Sequence, residues 1–297
     1  RLKRPLDVVL SVAALIVLGL IATLGIEFRE FARPLPEGAA RAIDLDPSNL
    51  PYYAVRTVAR MLAAMLLSLA FSFAYAPLAA RNKRAEQVLI PILDILQSVP
   101  VLGYIALVVA MVADLLPGSA LGYELAAVFA LFTSQAWNMT FSLYQSLKTV
   151  PADLSEAARA LRLTRRQRFW RLDVPFAMPG LVWNAMMSMS GGWFFIVASE
   201  AITVSGESVN LAGIGSYIAV ALAERRIDAI AWAVGAMFAV IVIYDQVLLR
   251  PLVAWSDRFK AETEPGAVRP KSWVLSVLRR TRLLPALVQL FYRTVEP

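Results

Sequence analysis

The side chains that could do chemistry here are few, and their types narrow the chemistry sharply. The 297-residue chain contains no Cys and no His. Disulfides, thiolate or imidazole metal sites and Cys/His nucleophile pairs are thereby excluded. No phosphate-cradling P-loop and no Gly-x-Ser-x-Gly elbow is present. What remains is carboxylates, guanidiniums, hydroxyls and amides set inside apolar runs. Asp94, Gln97 and Ser98 lie between or beside Pro91 and Pro100. A carboxylate in such a run is costly and usually faces a bundle interior, yet the sequence offers Asp94 no catalytic partner. Thr133, Ser134, Gln135, Asn138 and Thr140 cluster in a second run, and Asn184, Ser188 and Ser190 lie in a third. Groups of this kind either hydrogen-bond helices together or line a polar path. The path candidates are Gln97, Ser98, Ser134, Gln135, Asn138 and Ser188. Arg56 and Arg60, one helical turn apart, either snorkel to lipid headgroups or face a vestibule and attract anions. Glu200 would repel an anion, so it is expected to pair with an Arg or meet solvent.

The elements that must position these groups are membrane spans. Hydrophobic residues make up 59% of the chain, and apolar runs of about 20 residues recur, the length needed to cross a bilayer. Spans are expected at Val8–Ile26, Tyr53–Ala80, Val88–Leu116, Leu125–Leu147, Ala177–Ala198 and Ile227–Leu249. Pro91 and Pro100 are expected to interrupt the third. Ala59, Ala63, Ala64 and Ser68 give the second a small-residue packing face. Gly191 and Gly192 permit either a hinge or close helix contact, with close contact at a dimer seam favoured. Thr203–Arg226 reads as a polar external stretch with a short helix at Tyr217–Ala223. The start at Arg1 rather than Met is what a fragment would show, and the first apolar run is expected to be a retained span, not a cleaved signal. The net charge of +7 does not mark a nucleic-acid binder. Of 29 Lys and Arg, 22 fall in segments expected on the cytoplasmic side, which is the positive-inside bias of a membrane protein.

One charged loop stands out between the fourth and fifth spans, Lys148 to Pro175. Pro151 can start a helix, since its missing N–H costs nothing in a first turn, and Asp153 sits near the positive end of that helix. Leu154, Ala157, Ala158 and Leu161 recur at i, i+3, i+4 and i+7, giving one narrow apolar stripe. Glu156 and Arg159 flank it. Thr164 can cap a second short helix, Arg165 to Leu172, which Pro175 is expected to end.

Glu156-Ala157-Ala158, a basic and aromatic run, and a Pro 19 positions after the Glu together resemble the EAA loop of ABC importer permeases. Asp94 to Gly103 resembles the matching segment of nitrate, sulfonate and taurine permeases. Ser134 to Pro151 resembles duplicated anion permeases, and Gly213 and Gly215 resemble the family's Gly-x-Gly element after the fifth span. The family usually has Gly six residues after the Glu, where this chain has Arg162. Either Arg162 takes the left-handed turn, at about 1 kcal/mol, or the first helix runs further.

The resemblance implies an all-α membrane protein of about six transmembrane helices, an ABC importer permease-type bundle. Residues 1–52 would form a first span and external loop, 53–260 the permease core with its coupling loop at 148–175, and 261–297 a cytoplasmic tail or linker; by its own composition Trp273–Tyr292 is either a basic amphipathic helix on the inner membrane surface or plain tail. It implies a cytoplasmic ABC ATPase dimer, an external binding protein, and a second permease copy as partners, in a bacterial inner membrane with both termini cytoplasmic. Glu156, Ala157, Ala158, Arg159 and Leu161 would contact the ATPase, with Arg162 at the turn and Arg165, Arg166 and Phe169 in support. The cargo would be a small anion: nitrate, a sulfonate, taurine or bicarbonate. No cofactor, metal or nucleic acid is implied, and no bond chemistry. The rivals are a membrane-embedded enzyme, which would need a polar catalytic cluster, and a channel or scaffold that needs no ATPase.

Overall fold

The computed structural model describes residues 43–100, 103, 107–108, 111, 120–204 and 207–259. The expected first span, most of the third span after Pro100 and the tail helix lie outside the described residues. A single 3₁₀ turn, Pro47–Asn49, opens α1 (Leu50–Arg81). Then come α2 (Lys83–Ser98), α3 (Ala120–Lys148), α4 (Ala152–Ala160), the short α5 (Arg165–Arg168) and α6 (Val174–Glu200). A β-hairpin follows, β1 (Ala201–Val204) paired antiparallel with β2 (Glu207–Asn210), Ala201 opposite Asn210. The described residues continue with α7 (Ile214–Ala223), α8 (Ile227–Tyr244) and α9 (Arg250–Ser256), and end in a 3₁₀ turn, Asp257–Phe259.

Among the described residues, three stretches are long and apolar enough to cross a membrane: Pro47–Arg81, Arg165–Glu200 and Ile227–Ser256. With α3, 29 residues and about 43 Å long at 1.5 Å per residue, they make a multi-pass helical bundle. α1 packs along α3, and α3 along α6. Small residues permit the close approach. Ala59, Ala64 and Ser68 on α1 and Ala126, Ala127 and Ala136 on α3 are fully buried; of the predicted small-residue face, Ala63 is only half-buried. A Cβ at Gly192 would stand 3.1 Å from Gln135 Nε2, so its close contact is inside the chain, whereas Gly191 faces open space. Ser72 and Thr140 hydroxyls meet at 2.9 Å across the α1–α3 seam; these hydroxyls hold helices together. On the outside stand Leu66, Leu67, Trp183, Phe194, Trp232 and Phe238, all more than 45% exposed. Such a surface suits lipid, not water.

Two proline expectations are corrected. Pro91 sits within α2, which runs unbroken to Ser98; only Pro100 follows a helix end. Pro175 does not end the loop helix. α5 runs through a π turn, Phe169–Asp173, directly into α6, with Pro175 in its first turn. The wider turn, in which the Val174 N–H bonds the Phe169 carbonyl, carries the helix past Pro175 without a break.

Candidate functional site

The charged loop folds as two helical pieces joined by a tight turn. Pro151, at φ −55° and ψ 144°, leads into α4, and its carbonyl accepts from Ser155 N–H at 3.1 Å. The helix stops in a Schellman arrangement. Arg162 N–H donates to the Arg159 carbonyl at 2.9 Å and Leu163 N–H to the Ala158 carbonyl at 3.1 Å. Arg162 itself is left-handed, φ 51°. Of the two alternatives the sequence left open, the chain takes the strained turn. Thr164 then caps α5 in a reciprocal box with Gln167, as expected.

The apolar stripe is split between two directions. Ala158 is buried at 5% exposure, whereas Leu161 is 72% and Leu154 37% exposed. Ala158 therefore packs against its own chain, and the outward surface of α4 is Leu154, Ala157 and Leu161, flanked by Glu156, Arg159 and Arg162. Glu156 and Arg159 lie 3.9 Å apart and are both about 70% exposed, a pair worth little to stability. Behind this surface the loop is fastened to the bundle. Arg168 donates to Ser155 Oγ at 3.1 Å and to Asp173 at 3.4 Å. Trp170 stacks on Phe73, centroids 6.2 Å apart, and the Arg81 guanidinium lies 5.0 Å over the Phe169 ring. Phe169 is thus an internal anchor, while Arg165 and Arg166 stand at the exposed start of α5. Nearby, Glu86 of α2 accepts from Tyr144 and, at 2.8 Å, from Lys148 of α3. The hydrogen bond from Lys148, then that from Tyr144, holds the Glu86 carboxyl below the usual carboxylate range.

The path candidates separate. Gln135 and Ser188 come to the buried α3–α6 interface, Gln135 Nε2 reaching Met189 Sδ at 3.4 Å. Gln135 Oε1 and Ser188 Oγ are buried there without a hydrogen-bond partner among the described residues. Ser134 and Asn138 lie on a more open face of α3. Gln97 and Ser98 are exposed at the end of α2, both bonded to Asp94. The six do not converge on one site.

At the opposite end of α1 lies a group the sequence reading missed. Arg60 donates through Nε and Nη2 to Glu124, at 2.5 and 2.7 Å, and through Nη1 to Glu200 at 2.7 Å. Arg56 Nη2 reaches Glu124 at 2.7 Å. All four charged side chains are buried, so Arg56 and Arg60 neither reach headgroups nor line an open vestibule. Glu200 pairs with an Arg, as one of its two alternatives held. Its other contacts come from Thr57 Oγ1 and the Gly215 N–H, both at 2.7 Å. A Cβ on Gly213 would fall 2.3 Å from the Glu200 carboxyl, and one on Gly215 2.6 Å from the Val197 carbonyl. The Gly-x-Gly element is therefore the space that this carboxylate and the end of α6 occupy. Glu124, an acid at the edge of an apolar run opposite two arginines, was the available signal.

A family model described as "Binding-protein-dependent transport system inner membrane component" matches residues 68–250, more than half of the chain. The chain belongs to this family. The family match and the apolar helices agree on a multi-pass membrane protein. Among curated relatives, the bicarbonate transport system permease protein CmpB of Synechococcus elongatus is 27% identical over 134 residues, 45% of each chain. The nitrate import permease protein NrtB of Leptolyngbya laminosa is 27% identical over 117 residues, 39% of each. The glycine betaine/proline betaine transport system permease protein ProW of Escherichia coli is 28% identical over 163 residues, 54% of this chain and 44% of that one. The matches span less than half the length of these relatives. A solved structure of the MetNI methionine ABC transporter in inward-facing conformations gives a TM-score of 0.49 at 20% identity, over 70% of this chain and 94% of that one.

Proposed function

We propose that this chain is the membrane-spanning subunit of an ATP-driven importer for a small anion of the nitrate, bicarbonate, sulfonate or taurine class. The observation that carries the reading is the loop. It projects an exposed surface of Leu154, Ala157 and Leu161 with flanking charge, and it is tied to the bundle by Arg168, Phe169 and Trp170. That geometry suits a part that receives force from a cytoplasmic ABC ATPase dimer and passes it to α1 and α6. Bicarbonate and nitrate permeases among the relatives support the cargo class.

In this reading residues 53–260 are the permease core, flanked by 1–52 and 261–297. It works beside a second permease copy and an external binding protein, in the inner membrane with both termini cytoplasmic. The chain makes and breaks no bonds; hydrolysis belongs to the ATPase. Nucleotide binding shifts the bundle between inward-open and outward-open states, which requires that the two states differ in affinity for nucleotide and cargo. The test is ATP hydrolysis by the full-length chain reconstituted with its cognate ATPase and binding protein. Nitrate, bicarbonate, taurine and an alkanesulfonate are added singly. Stimulation by one of them is expected. An assembled complex that answers to none overturns the anion assignment. Absence of any ATPase association overturns the importer reading and favours a channel or scaffold.

A further inference from the structure

At the loop end of the bundle a pocket of about 430 Å³ opens between the last turns of α1 and α3 and the start of α5. Its polar wall is Arg81, Arg165, Arg168 and Asp173; its apolar wall is Ala80 and Leu147. Asp173 is buried and pairs with Arg168 at 3.4 Å, offsetting one positive charge. Among the described residues Arg81 and Arg165 enter no ion pair. The pocket is therefore positive by about two charges, and their side chains converge on one space. Two of the guanidiniums are also held in position, Arg81 over the Phe169 ring and Arg168 against Ser155 Oγ.

The depth of the pocket matters as much as its charge. It lies at the ends of two long helices, and Trp170, in the helical segment between the lining residues Arg168 and Asp173, stacks on Phe73 and stays 36% exposed. Partly exposed tryptophans of this kind sit at headgroup level in membrane proteins. We infer that the pocket binds a phosphate-bearing anion, supplied either by an anionic phospholipid or by a soluble phosphate. Planar guanidinium forks match phosphate oxygens in pairs. Ala80 and Leu147 accept the less polar remainder of the ligand. The site shares α5 with the loop, so its occupant touches the segment that carries α4. The assignment needs neither the ATPase nor the orientation of the chain.

The test uses the whole chain in nanodiscs. In one arm, discs contain phosphatidylcholine with or without phosphatidylglycerol, and retained lipid is counted by native mass spectrometry. In the other, unfolding temperature in detergent is compared in inorganic phosphate and in sodium chloride of equal ionic strength. Wild type is expected to retain phosphatidylglycerol selectively, with about a fivefold loss of affinity for each of R81Q and R165Q. R84Q, at an exposed arginine outside the pocket, is the control and leaves retention unchanged. A phosphate-specific stabilisation that R165Q removes, without lipid retention, assigns the soluble source instead. Arg165 is exposed at the first position of α5, so R165Q alone carries the test if R81Q does not fold. Equal lipid retention by wild type and R165Q, with no phosphate-specific shift, overturns the proposal.

Discussion

Arg60 and Glu124 face each other through two hydrogen bonds, 2.5 and 2.7 Å long, in a site closed to solvent and lipid. The same guanidinium reaches Glu200, so one side chain joins α1, α3 and α6 at one end of the bundle. With Arg56, the group holds two positive and two negative charges. Removing one partner leaves an uncompensated buried charge, which costs about 3–5 kcal/mol. Glu124→Met and Arg60→Met are each expected to lower the denaturation midpoint sharply in detergent. Arg60→Met combined with Glu124→Met is expected to cost clearly less than the two singles added. Additive losses would show that the pair is not coupled.

Gly213 has the same dependence on Glu200 from the other side. An added methyl would collide with the carboxyl at 2.3 Å, and Gly213 is already extended at φ −178°, so crowding, not backbone strain, is the cause. Gly213→Ala is expected to destabilise by about 1–3 kcal/mol. Gly191→Ala meets nothing within 4 Å and is expected to be neutral or to gain up to about 1 kcal/mol from helix propensity. Thermal unfolding of the two variants side by side distinguishes them, and equal effects would contradict the packing argument.

Much of this architecture was legible in the sequence because its signals are local. Apolar runs placed α1, α3, α6 and α8 to within a few residues, Thr164 announced its capping box, and Tyr217–Ala223 fell inside α7. The β1–β2 hairpin was missed, because Thr203–Arg226 read only as a polar external stretch. What failed depended on distance or on an unusual turn. The fate of Arg60 is set by Glu124, 64 residues away, and by Glu200, 140 residues away. Pro175 looked like a helix stop because its π turn leaves no pattern in composition. Ala158 belonged to the right stripe, yet only packing decides which part of a stripe faces inward.

Glu86 supplies a pH-dependent tie between α2 and α3. Its carboxyl is held below its ordinary value of 4.5 by Lys148 first and Tyr144 second. A depressed carboxylate contributes stability that is fully present above its unfolded value and is lost as pH falls through the folded one. The contribution is therefore complete at neutral pH and disappears in the acid range below about pH 4.5. Wild type is expected to lose stability faster than Glu86→Gln as the pH is lowered through that range. Circular-dichroism melts of the two proteins at matched ionic strength measure the difference. Parallel curves would mean that Glu86 contributes nothing to the tie.

Leu161 and Ala158 lie three residues apart in one loop, and they should fail in different ways. Leu161 caps α4 and is 72% exposed, so its side chain supports little of its own fold. Ala158 is buried, and its carbonyl accepts the bond that closes the Arg162 turn. Leu161→Glu places a charge on the surface proposed to meet the ATPase while leaving α4 intact. It is expected to reduce ATPase co-purification at least about tenfold, the scale of losing one buried apolar contact at an interface, with an unchanged melting temperature. Ala158→Trp instead forces bulk into a packed position. It is expected to destabilise the fold by about 1–3 kcal/mol through overpacking, and so to lower the melting temperature as well as co-purification. The pair separates contact from folding: if Leu161→Glu keeps full ATPase association, the outward face of α4 is not the docking surface, whatever Ala158→Trp does.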